Sequence, residues 1–195
     1  MKIDLGAGLK REEDFITIDA DPLSNPDYVI NLDDVNIKLP FEDNSIEEIR
    51  AWHILEHIGD GFIPLIKELY RVACHGCIFD IKVPHHFHEV FYGDPTHKRP
   101  ITINVMSHFS KKYNKEHIET YNSESGLGQR LNVDWEVMHY EFEYDPFYLP
   151  MLNDFFKRKE EGNVTKEEDF AIQRLMREAL NVAQNTVIKM IAVKE

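Results

Sequence analysis

The sequence predicts an α/β protein built on a mostly parallel β-sheet. Short apolar segments alternate with helical or looped crossovers up to residue 83, which is the pattern of parallel sheets. The first segment, 2–5, runs directly into a glycine turn, and the chain closes on an apolar, β-branched segment at 186–193. The 195 residues fit one domain, 1–195, which we divide into 1–83, 84–183 and 184–195.

Four further strands and one helix are predicted before residue 83. Residues 62–73 place apolar side chains at helical spacing, and Gly76 is expected to end that helix. The strands are rich in apolar or β-branched residues and cover 15–19, 28–32, 46–52 and 77–83. Because parallel sheets bind ligands beyond the carboxyl ends of their strands, a site is expected at that edge.

The rest of the chain is predicted to add a loop, several helices and two strands. Residues 84–100 are rich in His, Gly and Pro without periodicity, so a long functional loop is expected. A Thr165–Glu168 pair is typical of a helix-capping box. Short helices are expected within 103–120, a strand at 134–144, and helices at 147–158 and 165–183.

Composition narrows the functional classes. The net charge of −13 and the small basic clusters at 97–99 and 111–112 argue against a nucleic-acid partner. No segment is long and apolar enough for a membrane span, and no secretory leader is apparent, so a cytoplasmic protein is expected. Cys74 and Cys77 lack a second ligand pair and lie between a helix and a strand, so reduced thiols are expected rather than zinc or redox chemistry.

Two strand ends carry features of a nucleoside site. Gly6-Ala7-Gly8 follows the first strand, and the missing Cβ atoms let a ligand approach the backbone. Arg11 stands where a dinucleotide motif has its third glycine, which argues against a pyrophosphate at this turn. Asp19 ends the second strand, where a carboxylate either accepts hydrogen bonds from ribose hydroxyls or caps the strand.

Five motifs in order resemble the class I S-adenosylmethionine-dependent methyltransferases, most closely a short, phage-like branch that opens directly on the first strand. The motifs are LGAG, ITIDAD, LPFEDNSIEEI, HILEHI and ELYRVA, and the match covers 2–83 and the closing strand. The resemblance implies a Rossmann-like sheet of seven strands with an antiparallel C-terminal strand. It also implies S-adenosylmethionine as cofactor, methyl transfer as activity, and 1–83 as the cofactor-binding half.

The resemblance assigns cofactor contacts to eight positions. It implies that Asp4, Gly6 and Gly8 hold the methionine part, and that Asp19 binds the ribose. It implies further that Asn31, Leu32 and Asp33 flank the adenine and that His53 faces the reactive methyl. Lys10 replaces a third glycine and the first crossover is too short for a full helix, so the cofactor is expected to be more exposed there.

The 84–100 loop has three interpretations. It covers the cofactor and supplies a general base, for which His97 is the first candidate, followed by His86 and His88. Alternatively, His86, His88, Asp94 and His97 bind a divalent metal. In the third interpretation these residues only build the loop. The segment GDPTHKRP also resembles a stretch of some short methyltransferases, with no role assigned.

The substrate side is less constrained. Asp94, Lys98 and Arg99 are candidate substrate contacts, since the two cations suit a carboxylate or phosphate, although a surface salt bridge is an equal alternative. His53 and His57 have the i, i+4 spacing of metal ligands on a helix, but the resemblance accounts for both without metal, and no metal ligand is assigned.

The predicted activity is methylation of a small molecule or glycan, at oxygen rather than nitrogen. The resemblance places the acceptor pocket in the aromatic-rich segment 101–183, where most of the aromatic side chains are expected to pack in the core. Two alternatives stay open: a non-catalytic S-adenosylmethionine-binding protein, and a metal-binding module built on the loop histidines.

Overall fold

Seven strands form one sheet in the order β3-β2-β1-β4-β5-β7-β6 in the computed structural model, which describes residues 1–121, 126–178 and 181–194. Strands β1 to β5 are parallel, and β7 is antiparallel to both β5 and β6. The predicted mostly parallel, seven-stranded Rossmann-like sheet is therefore confirmed. The strands are β1 Lys2–Leu5, β2 Ile16–Asp19, β3 Tyr28–Val29, β4 Ile46–Trp52, β5 Ala73–Pro84, β6 Trp135–Tyr144 and β7 Ala183–Ala192.

The helices lie mainly in the second half of the chain. Residues 6–15, all of which are described, contain no helix, as the short first crossover predicts. The helices are α1 Phe62–Val72, α2 Glu89–Gly93, α3 Ile103–Ser107, α4 Lys111–Tyr121, α5 Leu127–Leu131, α6 Leu149–Glu160 and α7 Lys166–Glu178, with 3-10 turns at Pro22–Ser24 and Leu55–His57. None of these described helices is both long and apolar enough to cross a bilayer.

The two faces of the sheet differ in chemistry. Leu5, Ala51 and Ile81 are register neighbours on β1, β4 and β5, and all three are fully buried. The α1 helix is amphipathic, and its Leu65, Ile66, Leu69 and Val72 are buried in the same core. Each such side chain contributes about 1.5–3 kcal/mol through burial. This apolar layer holds the strand ends in place.

The opposite face carries a row of polar neighbours. Asp4 is the register partner of both Thr17 and Arg50, and Arg50 is the partner of Asp80 on β5. The first crossover covers the centre of this row, because Phe15 lies 4.4 Å from the Arg50 guanidinium and Glu12 pairs with it at 2.6 Å. A helix is thus replaced here by an extended segment over charged side chains.

Four element predictions need correction. The helix ends at Val72, not at Gly76, because the chain turns into β5 at Ala73; Gly76 instead has φ +81° inside β5, where the β4–β5 register shifts. Strand β3 has two exposed residues instead of the five expected, and the 84–100 loop contains α2. The last predicted helix ends at Glu178; residues 179–180 lie outside the described residues, and β7 begins at Ala183.

The predicted capping box is confirmed. The Glu168 N–H donates to Thr165 Oγ1 at 3.1 Å, and the Thr165 N–H donates to Glu168 Oε2 at 3.0 Å. The two bonds satisfy donors at the start of α7 that the helix itself cannot pair.

Candidate functional site

The turn Gly6-Ala7-Gly8, which we call the glycine corner, lies beside Asp19 at the carboxyl ends of β1 and β2. The Gly8 N–H donates to Asp19 Oδ2 at 2.9 Å, and the Asp21 N–H donates to Oδ1 at 2.8 Å. Gly8 has φ +55°, and a Cβ there would meet no atom within 4 Å, so the corner is open. Gly6 has φ +64°, and a Cβ there would lie 2.7 Å from the Ile54 side chain. Gly8 thus faces open space, whereas Gly6 allows tight packing.

This corner fits a nucleoside with a polar tail. A carboxylate has about four acceptor positions, and the two backbone bonds leave Asp19 with capacity for a ribose diol. The open surface over Gly8 gives a ligand access to the backbone. These residues are chemically suited to hold S-adenosylmethionine, and Asp19, Gly6 and Gly8 remain predicted contacts.

Asp4 lies in the sheet and not at the surface of the corner. Its carboxylate pairs with the Arg50 guanidinium at 2.6 Å, and the two side chains are 7% and 8% exposed. The hydrogen bond that Arg50 donates to Asp4 is the main reason that the pKa of Arg50 is raised. Asp4 therefore supports β1 and β4 near the corner, and a direct cofactor contact from it stays a prediction.

The residues after β3 have separate environments. Asn31 is exposed, and its Oδ1 accepts a hydrogen bond from the Asp33 N–H at 3.0 Å, whereas Leu32 is buried in the core. The Asp33 carboxylate accepts from the N–H groups of Gly59 and Gly61 at 2.8 and 2.9 Å. Asp33 thereby connects the end of β3 to the start of α1. Of the three residues, Asn31 has the exposed polar side chain.

Lys98 contributes to the Asp33 contact. Burial opposes ionisation of Asp33, but the hydrogen bonds from Lys98, Gly61 and Gly59 outweigh it and lower the pKa of the carboxyl. The Lys98 N–H also donates to the Glu56 carbonyl at 2.7 Å. Arg99 donates to the carbonyls of Ile58 and Gly59. Both cations therefore join the loop to the segment after β4, and an anion-binding role for them stays a prediction.

The three histidines that follow β5 differ in burial and in their hydrogen-bond partners. His88 caps α2, its Nδ1 accepting from the Val90 N–H at 3.1 Å, and its Nε2 lies 3.3 Å from Asp145. His85 is 2% exposed, and burial lowers its pKa to about 4. His86 is half-buried, and burial also lowers its pKa. Both ring nitrogens of His88, one of the predicted catalytic residues, thus have partners within the protein.

A cavity of about 580 Å³ lies beside His86. Tyr140, Phe142 and Tyr144 alternate along β6 and so share one face of the sheet, while α6 and α7 supply the opposite wall. The lining residues are His86, Thr102, Ile103, Asn104, Tyr140, Phe142, Tyr144, Phe155, Phe156, Lys159, Gln173 and Met176. His86 is the one predicted site residue among them. The cavity is aromatic with a few polar groups, as small-molecule sites are.

His97 lies in a different cluster, with Glu56 and His57. One nitrogen of each ring and one Glu56 oxygen lie within 4.8 Å of one another, a spacing compatible with a metal ion. Glu56 is 1% exposed, and neither carboxylate oxygen accepts a hydrogen bond from the described residues. His53 follows β4 with φ +55°, and its Nδ1 lies 3.6 Å from Glu56 Oε1.

The metal set of the second loop interpretation, His86, His88, Asp94 and His97, does not assemble among the described residues. Among the described residues, His86 and His88 belong to no group with metal-ligand spacing. Asp94 is held by the Thr96 N–H and hydroxyl, with its Oδ2 3.9 Å from His97 Nε2. Glu56 was missed as a site residue, although it is the one acid in the apolar stretch 54–58. Its partner His97 is distant in sequence, so only the fold brings them together.

No protein-family model and no curated protein sequence matches this chain. Solved structures do resemble it. A SAM-dependent methyltransferase from Archaeoglobus fulgidus is 15% identical with a TM-score of 0.53, covering 97% of this chain and 85% of that one. The YcgJ protein from Bacillus subtilis is 13% identical with a TM-score of 0.52, covering 100% and 92%. The cyclase SpnF is 12% identical with a TM-score of 0.55, covering 100% and 75%.

These similarities concern the fold. The same architecture carries both a methyltransferase and a cyclase, so activity must be argued from the site. The strand order, the antiparallel β7 and the structural matches agree with one another, and the chain has the fold of the class I S-adenosylmethionine-dependent methyltransferases.

Proposed function

We propose that this protein transfers a methyl group from S-adenosylmethionine to an oxygen of a small molecule or glycan. The observation that carries the proposal is the contact between Asp19 and the Gly8 N–H at adjoining strand ends. It creates an open, glycine-lined corner beside an acid that retains free acceptor positions. The fold of the structural neighbours supports the same assignment.

The chain's own groups have separable tasks at the cofactor. Asp19 would accept hydrogen bonds from the ribose hydroxyls, and Gly8 would let the ligand approach the backbone. Asn31, whose polar side chain is exposed after β3, would contact the adenine. His53 lies at the carboxyl end of β4, where it would face the reactive methyl. When bound, S-adenosylmethionine supplies a methyl group on a sulfonium centre, which an acceptor nucleophile attacks.

The cavity beside His86 is the proposed acceptor site. Its three β6 aromatics offer surfaces on which a sugar or flat ring can stack. A hydroxyl acceptor must lose a proton, and His86 is suited to take it because burial lowers its pKa and keeps the imidazole neutral at pH 7. This geometry favours His86 over His97 as the general base, since His97 does not line the cavity.

Calorimetry with S-adenosylmethionine and S-adenosylhomocysteine tests the cofactor assignment. Both ligands should bind, and Asp19→Ala should weaken them at least 30-fold, a loss of about 2 kcal/mol that fits the removal of hydrogen bonds to a charged group. Asp21→Ala is the matched control, because Asp21 caps the adjoining 3-10 turn and should leave affinity within about threefold. Absence of binding to the unaltered protein overturns the proposal.

Turnover in an acceptor screen tests the catalytic part. His86→Gln should lower kcat at least 100-fold with little change in cofactor affinity, since general-base catalysis is typically worth about 10²–10⁴ in rate. The fall of the wild-type rate in acid should begin below the ordinary histidine pKa of about 6.5, because burial lowers the pKa of His86. Cofactor binding without turnover on any acceptor supports the non-catalytic alternative instead.

A further inference from the structure

The structure assigns a divalent transition-metal site, of the kind that takes Zn²⁺, to Glu56, His57 and His97. One potential ligand atom from each residue lies within 4.8 Å of the other two. Two imidazoles and one carboxylate form the ligand set of a three-coordinate protein site that leaves a fourth position open. The site differs from the loop-histidine set, because two of its members come from the segment after β4.

Glu56 provides the first argument. Its side chain is 1% exposed, and neither oxygen accepts a hydrogen bond from the described residues. An isolated buried carboxylate is strongly unfavourable, so buried acids are paired, hydrogen-bonded or coordinated to metals. The nearest cationic candidates are imidazoles, His53 Nδ1 at 3.6 Å and His97 Nε2 at 4.0 Å. A metal ion would satisfy the carboxylate and both cluster histidines at once.

Hydrogen bonds outside the cluster favour one tautomer of each histidine. His97 Nδ1 lies 2.7 Å from the Phe91 carbonyl, which only accepts, so Nδ1 carries the proton and Nε2 keeps its lone pair. Thr96 Oγ1 donates its single proton to Asp94 at 2.6 Å and therefore accepts from His57 Nδ1 at 2.9 Å. His57 Nε2 is then the free nitrogen. Carbonyl and carboxylate-linked partners of this kind typically orient metal-binding histidines.

The spacing is close to that of an occupied site. His97 Nε2 and Glu56 Oε1 are 4.0 Å apart, whereas adjacent ligands about 2.0–2.1 Å from a tetrahedral metal are roughly 3.3 Å apart. Small side-chain movements therefore close the set. The cluster adjoins His53, which follows β4, so it lies at the carboxyl edge of the sheet.

Zn²⁺ titration of chelator-treated full-length protein tests the site, with S-adenosylmethionine left out. One Zn²⁺ per chain should bind, and His97→Ala and Glu56→Gln should each weaken it at least 100-fold. Thr96→Val, which changes no ligand but removes the hydroxyl that joins His57 to Asp94, should weaken it about 10–100-fold. His139→Ala is the matched control, because His139 is an exposed histidine on β6 and should leave affinity unchanged. Bound Co²⁺ should show visible absorption bands that His97→Ala abolishes.

The outcomes separate this site from the proposed function. Asp19→Ala should bind Zn²⁺ as tightly as the wild type while losing S-adenosylmethionine. In chelator, Glu56→Gln should unfold at the same temperature as the wild type or higher, because an unpaired buried charge is gone; Zn²⁺ should then stabilise only the wild type. Equal Zn²⁺ affinity in the wild type, His97→Ala and Thr96→Val, or no one-to-one binding, overturns the metal site.

Discussion

Burial gives His85 a protonation behaviour that should be visible in stability. The folded-state pKa is about 4, against about 6.5 for an unfolded histidine. Between these two values the unfolded chain binds a proton that the folded chain does not. Stability is therefore retained above pH 6.5 and lost progressively as the pH falls towards 4.

We expect His85→Gln to reduce this acid sensitivity. At pH 5 the wild type should have lost about 2 kcal/mol through His85, from about 1.5 pH units at 1.36 kcal/mol each. The variant should therefore lose about 2 kcal/mol less than the wild type between pH 7 and 5, measured by urea unfolding. His139→Gln, at an exposed site, should keep the wild-type difference. Identical pH dependence of the wild type and His85→Gln would contradict the assignment.

The buried Asp4–Arg50 ion pair should affect the free energy of unfolding when only one partner is removed. Arg50→Met leaves the Asp4 carboxylate buried without its main partner, which should cost about 3–5 kcal/mol of unfolding free energy. The double variant Asp4→Leu/Arg50→Met should recover most of that loss, because no unpaired charge remains. Glu12→Gln should cost less than about 1 kcal/mol, since Glu12 is largely exposed. Additive losses in a urea double-mutant cycle would argue against the coupling.

At the scale of elements, the sequence determined the strands that have one buried face. Strand β4 has the predicted bounds, and β7 is predicted to within a few residues, because β-branched residues line the core. Strand β3 was overestimated, since its apolar residues are exposed at the sheet edge. Gly76 is predicted to end the helix because a glycine at that position is typical of a helix cap. Its position inside β5 depends on the pairing with β4, where the register shifts.

The candidate site was predictable where its residues are close in sequence. Gly8 and Asp19 lie 11 positions apart at the ends of adjoining strands, so strand order alone brings them together. Glu56 and His97 belong to segments that no periodicity relates. The 84–100 loop packs onto the 3-10 turn through backbone hydrogen bonds that Lys98 and Arg99 donate to the Glu56 carbonyl. Such contacts depend on tertiary packing that local pattern does not encode.

Gly61 precedes α1 and packs against the segment after β3, so a substitution there tests the contact between these two elements. A Cβ there would lie 2.5 Å from the Asp33 carbonyl carbon, so backbone would have to move. We expect Gly61→Ala to cost about 1–3 kcal/mol in urea unfolding and to weaken S-adenosylhomocysteine binding. Gly93→Ala is the control, since a Cβ there meets nothing within 4 Å. Equal stability of the two variants would mean that the α1 contact is easily displaced.

Over the whole molecule, the three proposed sites lie at one edge of the sheet. The Gly8–Asp19 corner, the Glu56 cluster and the His86 cavity follow the carboxyl ends of β2, β4 and β5. Strand β6 also ends at this edge, because Glu143 pairs with Asn185 and Pro84 pairs with the same residue. The three features thus adjoin without sharing a described side chain, which allows each to be tested alone.

This separation predicts how ligand binding affects the molecule. S-adenosylhomocysteine at 100 times its Kd should add about 2.7 kcal/mol to the free energy of unfolding. For a chain of this size that corresponds to roughly 5–10 °C in Tm, measured by calorimetry. Hydrogen exchange should slow at residues 6–8 and 19–21, where backbone groups bond to Asp19, and stay unchanged in α6 and α7 beyond the cavity. Protection confined to α6 and α7 would instead place the nucleoside in the aromatic cavity, because ligand contact and slowed exchange must coincide.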